Sequence, residues 1–330
     1  MLKDLRIVVS GGAGAIGSNL VAALAARNTV VVVDDLSSGV AENLPPSVDL
    51  LIGDILDPDI LARAFRDTTQ VVFHLAALFA NQNSVDHPER DLQVNGLGTL
   101  RMLEQARQAG VERFIYASSS CVYGPKSRKC SEDDVEFHPE TPYAFSKLLG
   151  ERYTNFFHQT YGLPTVIVRY FNVYGPGERP GLYRNVIPNF FARSLKNEPL
   201  VITGDGTETR DFTFVTDAVA GTVTAAASAA AIGHTYNIGS GVETPILLLA
   251  EEINRVTGST GGIHFQPRRH WDGVRRRSAT IEKATTDFGY QPKVALRQGL
   301  DHTSRWFKAQ VAAGNISPEQ MAVGQASRKS

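Results

Sequence analysis

The stretch Arg6-Ile7-Val8-Val9-Ser10-Gly11-Gly12-Ala13-Gly14-Ala15-Ile16-Gly17-Ser18-Asn19-Leu20 constrains this chain more than any other. An apolar run stops at glycines and gives way to apolar residues at helical spacing (Ile16, Leu20, Ala23, Leu24), so the sequence predicts strand, tight turn and helix in immediate succession. Gly12, Gly14 and Gly17 fall at the spacing G-x-G-x-x-G across that junction. Glycine suits a tight turn, close packing of helix on strand, and close approach of an anion to the backbone. From Gly11 through Ala15 and Ile16 to Gly17, free N–H groups and the positive end of the helix dipole then form a phosphate site.

The next segment supplies the context that a glycine motif needs. Thr29-Val30-Val31-Val32-Val33 reads as a second buried strand, and it ends in Asp34, at about the twenty-residue offset where a carboxylate meets ribose hydroxyls. Strand, helix, strand and acid together predict a dinucleotide fold. Asp34 repels a 2′-phosphate, and Asp34-Asp35-Leu36-Ser37-Ser38-Gly39 holds no Arg or Lys, so the cofactor is NAD rather than NADP.

At 330 residues, 42% of them hydrophobic and 20% charged, the chain is long enough for two domains and has an ordinary globular composition. With 33 basic and 34 acidic residues there is no general electrostatic case for nucleic acid or an anionic membrane as partner; any anion must meet a local pocket. Cys121 and Cys130 make neither a disulfide framework nor a metal cluster, which fits a reducing compartment. The first strand starts without a charged leader, and no apolar run is long enough for a bilayer, so a cytoplasmic location is expected.

Downstream, Gln70-Val71-Val72-Phe73-His74-Leu75-Ala76-Ala77 reads as a buried strand that ends in small residues, as expected where backbone approaches a ligand at the sheet's carboxyl edge. Helical spacing runs from Asp91 to Ala109 and stops at Gly110, and Arg113 to Ser118 is a strand again. This alternation predicts an α/β fold, a Rossmann-like doubly wound parallel sheet, over residues 1–172. From 173 to 330 shorter strands and helices predict a smaller C-terminal α/β substrate domain. Within it, 211–231 is a candidate to return to the first domain, and a mobile tail is expected from about 314.

Two features carry chemistry. Tyr143 and Lys147 lie four apart on a predicted helix, one turn apart on one face; an ammonium beside a phenol favours the phenolate and moves it toward the working range of a base. Ser118-Ser119-Ser120 stands at the carboxyl end of a strand, where a hydroxyl can bond a substrate oxygen and the tyrosine together.

Gly11-Gly12-Ala13-Gly14, Asp34, Asp54-Ile55, His74 to Ala77, Asn95, Ser118 to Ser120, Tyr143 to Lys147 and Arg169-Tyr170-Phe171-Asn172-Val173-Tyr174-Gly175-Pro176 resemble, as an ordered set over about residues 6–308, the extended short-chain dehydrogenase/reductases. More narrowly they are similar to the nucleotide-sugar epimerase/dehydratase family. The resemblance implies that Tyr143 takes a sugar hydroxyl proton, Lys147 holds the NAD ribose and Ser119 shares the hydroxyl. It places Asp54 and Ile55 at adenine, Leu75, Ala76, Ala77 and Ser118 along the cofactor, Asn95 at the base of the site and Tyr170 near the nicotinamide. It assigns Asn172, Asn185 and Val186 to the diphosphate and uridine, Val201 to the base and Arg210 to phosphate. A second phosphate arginine is expected at Arg269, with Arg275 as the alternative.

Departures narrow the reading. Where sugar dehydratases of the family carry Asp-Glu, this chain has Ser120 and Cys121, and so no proton donor for a leaving hydroxide. Asn81-Gln82-Asn83 replaces the Val-Pro-Arg common in the family, and Arg277 falls where the far wall of the sugar pocket is expected. The expectation is an NAD-dependent epimerase of a nucleotide-diphosphate sugar, acting at C4 of a UDP-hexose. Reduction or dehydration of the same substrate class, or non-catalytic NAD sensing, are the alternatives. A homodimer is expected through the 91–109 and 143–161 helices, with Leu148, Leu149, Phe156 and Phe157 as apolar surface.

Overall fold

The computed structural model describes residues 2–66, 68–136, 138–268 and 273–321. Its strands run in chain order β1 (Arg6–Ser10), β2 (Thr29–Asp34), β3 (Asp49–Ile52), β4 (Thr69–His74), β5 (Arg113–Ser119), β6 (Thr165–Tyr170), β7 (Asn172–Tyr174), β8 (Leu200–Thr203), β9 (Thr209–Phe214), β10 (Thr235–Ile238), β11 (Glu243–Pro245), β12 (Ile263–Gln266) and β13 (Arg276–Arg277). Seven form one parallel sheet in the order β10-β6-β5-β4-β1-β2-β3. The order in which the chain lays down its strands reverses between β1 and β4, and there the carboxyl ends of the strands open into a crevice. Register sets those ends level: Ser10 pairs with Val33 and His74, His74 with Tyr116, and Ser119 with Tyr170.

Both sheet faces are covered, so the strands read as unbroken apolar runs: Ile7 to Val9, Val30 to Val33 and Val71 to Phe73 are all buried. The helix Val215–Ala227 packs on the helix Ala15–Ala25 and on β5 and β6, after which β10 adds the edge strand beyond β6. The smaller layer is built on β9, which pairs with β7, β11 and β13, together with the β8–β12 pair. Ile316 and Met321 are buried in the core, where the sequence predicts a mobile tail; the rest of that stretch, 322–330, lies outside the described residues.

The helix Pro142–Tyr161 carries the Tyr143–Lys147 pair. Proline at its first turn, the Thr141 hydroxyl accepting the Ala144 N–H at 3.3 Å, and Gly162 in the left-handed region at φ 69° fix both ends. Tyr143, Ala144, Ser146, Lys147, Gly150, Glu151, Thr154 and Phe157 form its buried face at helical spacing. Gly150 is required there because a Cβ would enter the Tyr116 ring. Upstream, Leu92–Gly98 is wound as a wider π-type turn ahead of Thr99–Gln108, a departure from the uninterrupted helix predicted over 91–109. Among the described residues no helix is long and apolar enough to cross a membrane.

Candidate active site

One cleft of about 640 Å³ runs along the carboxyl edge of the sheet and under the smaller layer. At one end Gly11, Gly14, Ala15, Ile16 and Gly17 line it. Gly11 sits at φ 72°, and a Cβ there would come within 2.5 Å of the Ala76 nitrogen; a Cβ on Gly17 would collide with the Gly11 carbonyl. No side chain caps the Ala15–Ala25 helix and no acid stands in its first turn, which leaves that N-terminus suited to an anion. Gly12 does not line the cleft. Its missing Cβ makes room for Val32, so its part is packing of the turn on β2 rather than cofactor contact.

Asp34 is buried at the end of β2, its carboxylate accepting the Ala13 and Leu36 N–H groups at 2.9 Å each, and burial pushes its pKa up. Asp54 and Ile55 line the same end. Asp54 accepts the Leu56 N–H and pairs with Arg90 at 2.7 Å, an arginine from a distant helix that brings positive charge here without lying in the Asp34–Gly39 turn. Leu75, Ala76 and Ala77 form the floor.

Asn95 anchors the base of the site, as the resemblance implies. It is fully buried beneath the floor and not in the cleft: its Oδ1 accepts the Leu78 N–H at 2.8 Å, and its Nδ2 donates to Asp91 at 2.7 Å and Ser146 at 3.1 Å. It ties the floor loop to the Tyr143 helix. His74 is likewise structural, wedged between the Ser10 and Thr99 hydroxyls and held neutral by burial, which pulls its pKa down to about 3.

At the centre, Ser118, Ser119, Tyr143, Lys147 and Tyr170 converge. Tyr143 and Ser119 face the same part of the cleft, and the Ser119 hydroxyl accepts the Cys121 N–H at 3.2 Å. Burial, with Cys121 and Asp91 adding to it, pushes the phenol up, and the nearby Ser119 hydroxyl works against that shift. Lys147 Nζ donates to the Ala117 carbonyl at 2.9 Å and meets Tyr143 over the face of its ring, 5.9 Å from the ring centre, rather than through a hydrogen bond. Burial brings Lys147 down to about 8, with Asp91 and Glu151 opposing. Ser118 donates to Glu151 at 2.5 Å, and Glu151 takes Arg169 in two bonds of 2.7 Å, so one buried ion pair locks β5, β6 and the Tyr143 helix together. The Tyr170 hydroxyl bonds Thr222 at 2.7 Å.

The far wall comes from the smaller layer. Asn172, Asn185, Val186, Val201 and Arg210 line it, with Asn81 and Gln82 from the floor side. Arg210 donates to the Thr209 and Val274 carbonyls at 2.8 and 3.0 Å. Arg269 lies outside the described residues, and Arg275 is exposed and does not line the cleft. Two arginines of that run do: Arg277, and Arg268, which lies 3.5 Å from Glu208 and has a buried Nη2 without a hydrogen-bond partner among the described residues. Glu178 and Arg184 also line the cleft and escaped sequence reasoning. Glu178 accepts the Asn185 side-chain amide at 3.0 Å, and burial raises its pKa to about 7. A glutamate two residues past Gly-Pro in a loop gives no sequence signal of burial.

A dinucleotide crevice opening onto a buried serine–tyrosine–lysine set, roofed by a second layer, defines a short-chain dehydrogenase/reductase with a substrate-binding cap. Residues 7–239 match the NAD dependent epimerase/dehydratase family, and the chain belongs to that family. It is 37% identical over 311 residues to a UDP-glucose 4-epimerase of Mycolicibacterium smegmatis, covering 92% of this chain and 99% of that one. It is 34% identical over 317 residues to a UDP-N-acetyl-alpha-D-glucosaminuronate decarboxylase of Bacillus cytotoxicus, covering 92% and 98%. Among solved structures, an epimerase of Methanothermobacter thermautotrophicus superposes with a TM-score of 0.93 at 48% identity, covering 96% of this chain and 95% of the other.

Proposed function

We propose that this protein interconverts C4 epimers of a UDP-hexose through a 4-keto sugar. The observation that carries the reading is that Ser119, Tyr143 and Lys147, the last two one helical turn apart, meet in the cleft beside Ser120 and Cys121, where an eliminating or decarboxylating enzyme needs a carboxylic acid.

The cleft fits NAD: glycines without Cβ beside an uncapped helix N-terminus for the pyrophosphate, and Asp34 at the end of β2 for the adenosine ribose. Asp54 and Ile55 take the adenine end. Bound there, NAD supplies a hydride acceptor and donor for C4. Tyr143 takes the 4-hydroxyl proton and later returns it, while Ser119 holds that oxygen in line. Lys147, held by the Ala117 carbonyl, would hold the nicotinamide ribose, and Tyr170 would lie near the nicotinamide. Asn172, Asn185, Val186, Val201, Arg210 and Arg268 grip the nucleotide and its diphosphate, so that the 4-keto sugar turns about its tether and presents its other face. Arginine suits this grip because its planar fork meets phosphate oxygens in pairs.

The same reading includes a homodimer through the Leu92–Gly98 turn and the Pro142–Tyr161 helix, where Leu92, Leu97, Phe145 and Phe156 are exposed. Phe157 and Leu148 take no part in that surface: Phe157 is buried in its own core, and Leu148 packs on the Val122–Tyr123 cluster.

Incubation with UDP-, dTDP-, CDP- and GDP-hexoses, with products read by NMR, tests the reading. Interconversion of UDP-glucose and UDP-galactose is expected. A deoxy-keto product, or stoichiometric conversion of the cofactor, overturns it.

A further inference from the structure

Arg277 is a charged group of the cleft that this mechanism leaves without a task. It sits on β13, paired in register with Arg210 on β9, and lines the cleft while only 8% exposed. Among the described residues the hydrogen-bond contact of its guanidinium is the Cys121 sulfur, 3.6 Å from Nη1, with the Cys130 thiol also near; its Nε is buried without a hydrogen-bond partner, and no carboxylate pairs with it. Its neighbours on β13 are accounted for: Arg276 is paired with Glu243, and the exposed Arg275 is turned away from the cleft.

A buried guanidinium with an open donor is costly unless an anion or several acceptors complete it. The position of this one identifies the anion. Cys121 links Arg277 to the reacting centre: its sulfur meets Nη1 at 3.6 Å and its N–H donates to the Ser119 hydroxyl at 3.2 Å, so Arg277 lines the cleft on the side of the serine and tyrosine. We infer that Arg277 is a carboxylate subsite, and that the preferred substrate is a nucleotide-diphosphate sugar bearing a carboxylate next to C4, a hexuronate. The fork of Arg277 takes the two carboxylate oxygens, with Nε supplying one of the paired bonds. This inference rests on the C4-epimerase reading for the orientation of the sugar, though not for the existence of the subsite.

The test is binding, measured apart from turnover. Calorimetry on the NAD-loaded Tyr143→Phe protein compares UDP-glucuronate, with its carboxylate at C6, UDP-N-acetylmuramate, with a carboxylate on the O3 side chain, and UDP-glucose. UDP-glucuronate is expected to bind about ten- to a hundredfold tighter than UDP-glucose, the range for hydrogen bonds to a charged group. Added Arg277→Gln should erase that ratio, while Arg277→Lys, which keeps charge without the fork, should keep a small part of it. Tight binding of UDP-N-acetylmuramate alone moves the carboxylate from C6 to the O3 side and overturns the hexuronate assignment. Equal affinity for UDP-glucuronate and UDP-glucose in the Tyr143→Phe protein overturns the subsite, as does a preference that survives Arg277→Gln. If Arg277→Gln does not fold, the preference of the parent protein and its loss in Arg277→Lys still decide. A carboxylate preference without any C4 epimerisation by the wild type leaves the subsite standing and removes the reaction assigned above.

Discussion

Glu151→Ala is predicted to cost both stability and activity, because Glu151 is the point at which the catalytic helix is bound to the sheet. Glu151 and Arg169 are almost completely buried, and the carboxylate takes two guanidinium bonds and the Ser118 hydroxyl. Removing it leaves Arg169 inside with its Tyr123 and Glu132 contacts but no counter-charge. Breaking one partner of such a pair costs about 3–5 kcal/mol. With an unfolding entropy of about 2 cal/mol/K per residue, or ~0.7 kcal/mol/K for a chain of this length, the melting midpoint should fall by about 4–7 °C. Differential scanning calorimetry of the NAD-bound protein reads this, with Glu151→Gln, which keeps an acceptor for both partners, as the milder control. The loss of kcat should exceed the loss of UDP binding, since Ser118 adjoins Ser119 and Glu151 lies one turn beyond Lys147. A midpoint within about 1 °C of wild type, with kcat unchanged, would refute the role given to this pair.

Tyr143→Phe should lose on the order of a hundredfold or more in kcat while still retaining NAD, because only the proton acceptor goes; steady-state kinetics and cofactor absorbance check both halves. Gly17→Ala should abolish NAD binding or folding, since its Cβ would meet the Gly11 carbonyl, and fluorescence titration with NADH reports it. Glu178 has its pKa raised from about 4.5 to about 7 by burial, so the folded state binds the extra proton between those values and stability falls as pH rises through them. Glu178→Gln should therefore melt higher than wild type above pH 7 and no differently below pH 4.5, as followed by thermal melts across pH. Sedimentation at micromolar concentration should show a dimer that Leu97→Glu with Phe156→Glu dissociates.

Much of this molecule is legible in its sequence because local rules dictate it. The Gly11–Gly17 turn, the valine strand ending in Asp34 and the buried stripe around Tyr143 each state their structure through spacing and residue type. What depended on three dimensions did not read through. Asn95 reads as an anchor at the base of the site, and only the fold shows that it acts from beneath the floor, outside the cleft. Lys147 reads as a partner of the phenol, yet the Ala117 carbonyl on a neighbouring strand holds its ammonium. The basic run from Arg268 to Arg277 gives no periodicity from which to tell inward from outward, and the chain turns Arg268 and Arg277 to the cleft and Arg275 away. Glu178 and Arg90 reach the cleft from segments distant in sequence from the motifs they serve.

The central claim is that hydrogen leaves C4 and returns to the same carbon without exchange with solvent. Incubating the protein with UDP-[4-²H]galactose in ordinary water and reading the UDP-glucose formed by NMR and mass spectrometry tests it directly. The account predicts full retention of deuterium at C4 with no net change in NAD. Deuterium lost to water, or an unchanged sugar, would contradict it.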